Sequence, residues 1–164
     1  MLGLLIEQGV QREVRALNSI RVFCETDKAA LQRVDNLLAR ASAREFELMN
    51  DLRAYYQQVT GVKPKAIGLT AEELTASKKI PVNASPLENY FNNRGKVKFK
   101  TSLHPIMKSE VYNFVDGKRS YYDIYKAVKA EALSSGTWYY GTVSLKDVTG
   151  LLDAAVENKT LLLK

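Results

Sequence analysis

Phe114-Val115-Asp116-Gly117-Lys118-Arg119-Ser120-Tyr121-Tyr122-Asp123-Ile124 is the stretch on which the fold turns. It reads as a junction between two helices. An apolar helix ends at Val115, and Gly117 can take the left-handed conformation that closes it. Ser120 then caps a second helix, and Asp123 at the third position completes a capping box. Ile124, Val128 and Ala132 follow at helical spacing, so the new helix has an apolar face from its first turn. Asp116, Gly117 and Ser120 are therefore candidate structural residues, with a fold signal rather than chemistry.

Outward from this turn, residues 104–164 form the most regular unit. Pro105 suits the first turn of a helix that runs to Val115, with Ile106, Val111 and Phe114 or Val115 inward. Gly136 breaks the helix begun at Ser120. Trp138-Tyr139-Tyr140-Gly141-Thr142-Val143 is rich in strand formers. Ser144 with Asp147 opens a further helix carrying Leu145, Val148, Leu152 and Ala155. Leu161-Leu162-Leu163 reads as a short strand that pairs with Trp138–Val143. The order helix, helix, strand, helix, strand predicts a small winged-helix-like domain.

Residues 61–103 differ in character and are expected to form a basic, Pro- and Gly-containing connector. Thr70 and Glu73 form a capping box for a short helix over residues 71–78. Ile80-Pro81-Val82 is extended, as the residue before proline prefers. Ser85 and Pro86 open another short helix from Leu87 to Phe91. Lys96-Val97-Lys98-Phe99-Lys100 alternates basic and apolar residues, which predicts an edge strand with its lysines outward.

Residues 1–60 are predicted to form a helical pair, or a first helix that runs on into the second. Ile6, Val10, Leu17 and Ile20 recur at helical spacing. Asp27 or Thr26 can cap a longer helix over residues 28–59, whose stripe is Leu31, Val34, Leu38, Phe46, Met49, Leu52 and Tyr56. No Gly or Pro occurs between Val10 and Thr60. The heptad drifts through Ala39 to Ala43, which argues against a true coiled coil. A two-helix pair buries its stripes poorly alone and calls for a partner surface. The fold class expected is thus mainly α with a small β component (α+β).

An apolar fraction of 46% is enough for a core, and the formal charge of +6 permits an anionic partner. The charge is uneven. Residues 1–60 carry eight basic and eight acidic groups, residues 61–110 nine and four, and residues 111–164 seven and six. Lys96, Lys98 and Lys100, with Lys118 and Arg119 at the turn, are the candidate anion contacts. A solvated face that discourages edge pairing is the favoured reading of the three alternating lysines. Cys24 is the one cysteine, so no internal disulfide forms, and it reads as a structural thiol in an apolar helix. No apolar run reaches the ~18–20 residues of a membrane span. Cytoplasmic placement, without a membrane contact, is the expectation.

Val115-Asp116-Gly117-Lys118-Arg119-Ser120, with Asp123-Ile124 and Ala127-Val128-Lys129-Ala130-Glu131, resembles a terminal segment of microbial di-zinc aminopeptidase-like proteins of metallopeptidase family twenty-eight. Leu145-Lys146-Asp147-Val148 and the strand Leu161 to Leu163 match the close of that segment. The specific likeness covers about 50 residues at the C-terminal end, and upstream it is one of layout, including Ile80-Pro81. The resemblance implies a non-catalytic region that follows a zinc-bearing domain. A di-zinc site needs two His and several carboxylates, with a Glu as base. This chain has one His, His104, so no metal ligand, cofactor or catalytic residue carries over.

The expected function is therefore an accessory region that docks on its own catalytic domain or on a second copy of itself. Tyr55, Tyr56, Trp138, Tyr139 and Tyr140 are the candidate interface residues, because aromatic side chains favour interfaces. Ordinary core packing is the competing role for all five. A winged-helix nucleic-acid binder is the alternative. Against it, the helix from Ser144 to Asn158 carries a net charge of −2, which repels phosphate. A free-standing enzyme lacks a visible nucleophile, base or metal constellation.

Overall fold

The structure is a computed structural model describing residues 1–164. It is mainly helical, with one two-stranded sheet. The chain divides into two compact units, Met1–Ile67 and Gly68–Lys164.

The first unit is an antiparallel helical hairpin. Helix α1 spans Leu2–Ile20, a 3-10 turn follows at Arg21–Phe23, and α2 spans Lys28–Thr60. The Asp27 side chain accepts the Ala30 N–H at 3.0 Å and so starts α2, while Gly61, at φ 70°, ends it. Two helices rather than one continuous helix therefore form. Arg21 pairs with Asp35 near the turn. At the other end, Gly3 brings α1 close to α2: a Cβ there would lie 3.3 Å from the Met49 Cε. The buried seam of α2 follows a seven-residue repeat through Ala41 rather than drifting. Leu31, Leu38, Glu45 and Leu52 form one row, and Val34, Ala41 and Leu48 the other. Phe46, placed in the stripe by spacing, stands a third of a turn away and is exposed.

The second unit begins earlier than the sequence predicts. Helices α3 (Ala71–Ala76) and α4 (Leu87–Arg94) and strand β1 (Pro81–Asn83) belong to it, together with α5 (Pro105–Asn113), α6 (Tyr121–Ser135), α7 (Thr137–Tyr140), α8 (Leu145–Glu157) and β2 (Leu161–Leu163). Residues 68–103 are thus not a linker. Backbone groups of Lys79, Ile80 and Ala84 bond to later parts of the unit. Lys79 C=O accepts the Tyr121 N–H at 2.9 Å, Ile80 C=O accepts from Lys164, and Ala84 donates to Thr160 C=O.

Strand β2 pairs antiparallel with β1, in the register Pro81↔Leu163, Val82↔Leu162, Asn83↔Leu161. The expected partner, Trp138–Val143, is not a strand. Gly136 and Gly141 take φ of 98° and 71° and confine residues 137–140 to one helical turn. The three helices of the winged-helix order are present, but the connector supplies the strand that pairs with the last one. Helices α5, α6 and α8 enclose the core, which includes Val111, Tyr121, Ile124, Val128, Val148, Leu152 and Leu161. Met107, not Ile106, is the inward residue of the first turn of α5.

The α5–α6 junction is built from its own side chains. Asp116 Oδ1 accepts the N–H groups of Lys118 and Arg119, both at 2.9 Å. Gly117 holds φ 71°, with Val82 of β1 beside it. Ser120 Oγ accepts the Asp123 N–H while the Asp123 carboxylate accepts the Ser120 N–H, a complete capping box. Lys96–Lys100 keeps the expected alternation, lysines outward and Val97 and Phe99 inward, yet forms no strand because no neighbouring strand pairs with it. Phe99 instead lies over Gly150 of α8. The cap of α4 also differs from expectation: Pro86 occupies it, without a side-chain bond from Ser85.

Candidate functional site

The single histidine is a structural cap. His104 Nδ1 accepts the Ile106 N–H at 3.2 Å and opens α5, with Pro105 in the first turn. This places the imidazole against α7. Its ring centroid lies 5.3 Å from Tyr140 and 5.7 Å from Tyr139. Tyr139 contacts Tyr140 edge-on at 4.7 Å, and Trp138 contacts Tyr139 at 5.6 Å. Four aromatic rings are thus arranged in series. Tyr140 is half-buried against the core, Tyr139 is exposed, and Trp138 is 86% exposed. The strand-forming composition of this stretch hides the arrangement in the sequence, because the two flanking glycines, not propensity, decide its conformation.

Such a platform presents apolar ring faces with polar tips, a composition typical of interface anchors. Core packing accounts for Tyr140 but not for Trp138. In the hairpin, Tyr55 and Tyr56 are likewise exposed rather than core. The structure therefore sets the five aromatic candidates in two places, three on α7 and two near the end of α2.

The candidate anion contacts fall into two groups. Lys96, Lys98, Lys100 and Lys118 are exposed. Arg119 is committed elsewhere. Its guanidinium stacks 4.9 Å from the Phe114 ring, donates to Phe114 C=O at 3.2 Å and sits beside Asp116. Burial opposes ionisation of Asp116. The two turn N–H groups and Arg119 outweigh it, so this carboxyl stays below its ordinary range. On α8, Asp147 accepts from the Ser144, Thr101 and Ser102 hydroxyls, which tie the lysine segment to the helix start. These bonds likewise overcome burial and lower its pKa. With Asp153 and Glu157, Asp147 leaves α8 a poor surface for phosphate.

A cleft of about 550 Å³ lies among α3, the start of α6 and α8. Lys79 Nζ pairs with Asp153 Oδ1 at 2.8 Å and stands 5.3 Å over the Tyr121 ring. Tyr121 is fully buried, and its hydroxyl lies beside Asp153 without hydrogen-bonding geometry. Burial, and then the negative charge of Asp153, push its pKa up, so the phenol is neutral at ordinary pH. An ion-paired lysine and a neutral phenol give this cleft its polarity.

No group of three or more His, Cys, Asp or Glu side chains converges to hold a metal ion. No helix is long and apolar enough to cross a membrane. Comparisons of the chain with protein families, with curated proteins and with solved structures find no match.

Proposed function

We propose that this chain is a non-catalytic interaction module, the accessory end of a di-zinc aminopeptidase-like protein, and that the α7 platform docks on the catalytic domain. One observation carries the docking: Trp138 is the only tryptophan, and it stands 86% exposed at the head of a ring series anchored through Tyr140 and His104. Trp138 and Tyr139 are exposed side by side and in ring contact, and adjoining exposed aromatic residues of this kind favour an interface. The parentage is supported by the likeness of the Asp116–Ser120 turn and its capped helix. Cys24, unpaired and half-buried, suits a reducing cytoplasm. Nucleic acid is the weaker partner, because α8 is acidic and Arg119 is already engaged.

The lone tryptophan makes the test direct. The chain labelled with 5-fluorotryptophan gives one fluorine resonance, to be followed as a di-zinc aminopeptidase catalytic domain is added. Docking at α7 shifts or broadens that resonance, and Trp138→Ala weakens binding at least ~10-fold. A resonance that stays unchanged at saturating catalytic domain would refute it.

A further inference from the structure

The cleft among α3, the start of α6 and α8 has two walls of complementary chemistry. On one wall α3 offers Glu72 and Thr75, with Lys79 just past its end. On the other, α8 offers Lys146, Thr149 and Asp153, whose spacings of three and four residues set them on one side of the helix. Acid, hydroxyl and base on the first wall are thus matched by base, hydroxyl and acid on the second. Lys79 and Asp153 join the walls at 2.8 Å. Glu72 and Lys146 are exposed, and neither side chain forms an ion pair or a hydrogen bond. Tyr121 lines the floor, with Ala76 and Leu145 beside it. It is fully buried, yet its hydroxyl has no hydrogen-bond partner. A buried hydroxyl left without a partner is costly, so a polar group that enters here and accepts from it is favoured.

We infer that this cleft binds a small zwitterion, a molecule with a carboxylate at one end and an ammonium at the other. The site is separate from the docking platform, since Trp138 does not line it, and it stands whether or not that platform docks. Donors and acceptors set its polarity. Lys146 is an unpaired ammonium, Lys79 has N–H groups beyond the one given to Asp153, and Tyr121 has its O–H. Together these donors suit a carboxylate. Thr75 and Thr149 give their hydroxyl protons to the carbonyls of Ala71 and Lys146, so toward the cleft their oxygens accept. With the Glu72 carboxylate they suit an ammonium. A ligand of single charge leaves either Glu72 or Lys146 without a counter-ion. The volume of about 550 Å³ is that of a small-molecule site, and Ala76, Leu145 and the Tyr121 ring give apolar cover to the hydrocarbon between the two ends.

The test follows the amide resonances of Thr75, Tyr121 and Thr149 in the full, isotope-labelled chain as ε-aminocaproate is added to about 20 mM. Saturable shifts with a Kd of about 1 mM or below are expected. Hexylamine and hexanoate, each with one of the two charges, should bind at least ~10-fold more weakly, and so should ε-aminocaproate to Glu72→Gln or Lys146→Met. Both residues are exposed, so neither variant endangers the fold. Tyr121→Phe should weaken binding at least ~3-fold without lowering Tm, because it removes a hydroxyl that has no partner within the protein. Leucine and leucylglycine carry the same two charges at other spacings. The tightest of the three probes identifies a linear amino acid, an α-amino acid or a short peptide as the source. No saturable shift with any of the three overturns the inference. Equal binding of the single-charge analogues, or binding indifferent to the Glu72, Lys146 and Tyr121 variants, overturns it as well.

Discussion

Gly150 sits on the face of α8 that Phe99 covers. A Cβ built there would stand 2.7 Å from the Phe99 Cε2 and nearer still to Cζ. Ordinary carbon contact is ~3.5–4.0 Å, so Gly150→Ala must drive the ring outward by about 1 Å or more. Overpacking of this kind costs ~1–3 kcal/mol, while alanine in place of glycine within a helix contributes ~1 kcal/mol the other way. Phe99 is half-buried on a segment without strand pairing, so the ring gives partly, and a net loss of about 1 kcal/mol, at most ~2, is expected. In a Phe99→Ala background the obstacle is gone. There Gly150→Ala should stabilise by up to ~1 kcal/mol, giving a coupling of roughly 2 kcal/mol between the two positions. Hydrogen exchange of the buried α6 amides reports the second unit separately from the hairpin. For a unit of this size, 1 kcal/mol corresponds to ~4–8 °C in Tm. Gly150→Ala that stabilises equally in both backgrounds would sink the reasoning, since Phe99 could not then lie over α8.

Gly117→Ala should cost ~1–2 kcal/mol, because residue 117 holds φ 71° and the new Cβ would press on Val82 at 3.2 Å; an unchanged melting temperature would count against the turn. Asp116 and Asp147 have depressed carboxyl pKa values, so their stabilisation is present above the unfolded value of about 3.8 and is lost as pH falls through it toward the folded values. Stability measured in urea from pH 6 down to pH 2 should therefore fall, and Asp147→Asn should flatten part of that decline. A variant with the wild-type acid profile would show that the Asp147 bonds to Thr101 and Ser102 contribute nothing.

Local signals were the legible ones. Asp27, Thr70, Ser120 and Ser144 cap helices because a side-chain oxygen need reach only two or three residues along the chain. Gly61 and Gly136 stop helices for an equally local reason, whereas α5 ends at Asn113, short of the expected Val115, and Gly117 turns the loop beyond it. The β1–β2 pairing was not legible, since Pro81 and Leu163 meet across most of the second unit and neither strand advertises its partner. Trp138–Tyr140 has strand composition, but two positive-φ glycines overrule it. The α2 seam was obscured by Ala41 and Glu45, a small and a charged residue on rows that are otherwise apolar. Spacing placed Tyr56 on the inner face, whereas Tyr55, Tyr56 and Val59 are all exposed.

The pairing of β1 with β2 also bears on synthesis. Leu161–Leu163 follows every other element of the second unit out of the ribosome, while Pro81–Asn83 emerges near that unit's beginning. Until the late strand arrives, β1 has an open edge, and Lys79 and Ile80 wait for partners in order of emergence, Tyr121 first and Lys164 last. Domains dominated by such distant pairings close slowly, because loop entropy is lost before contacts are gained. The hairpin, whose contacts span at most the first 67 residues, can be complete long before. Nascent chains of this protein thus present finished helices at one end while the other is still an open clasp.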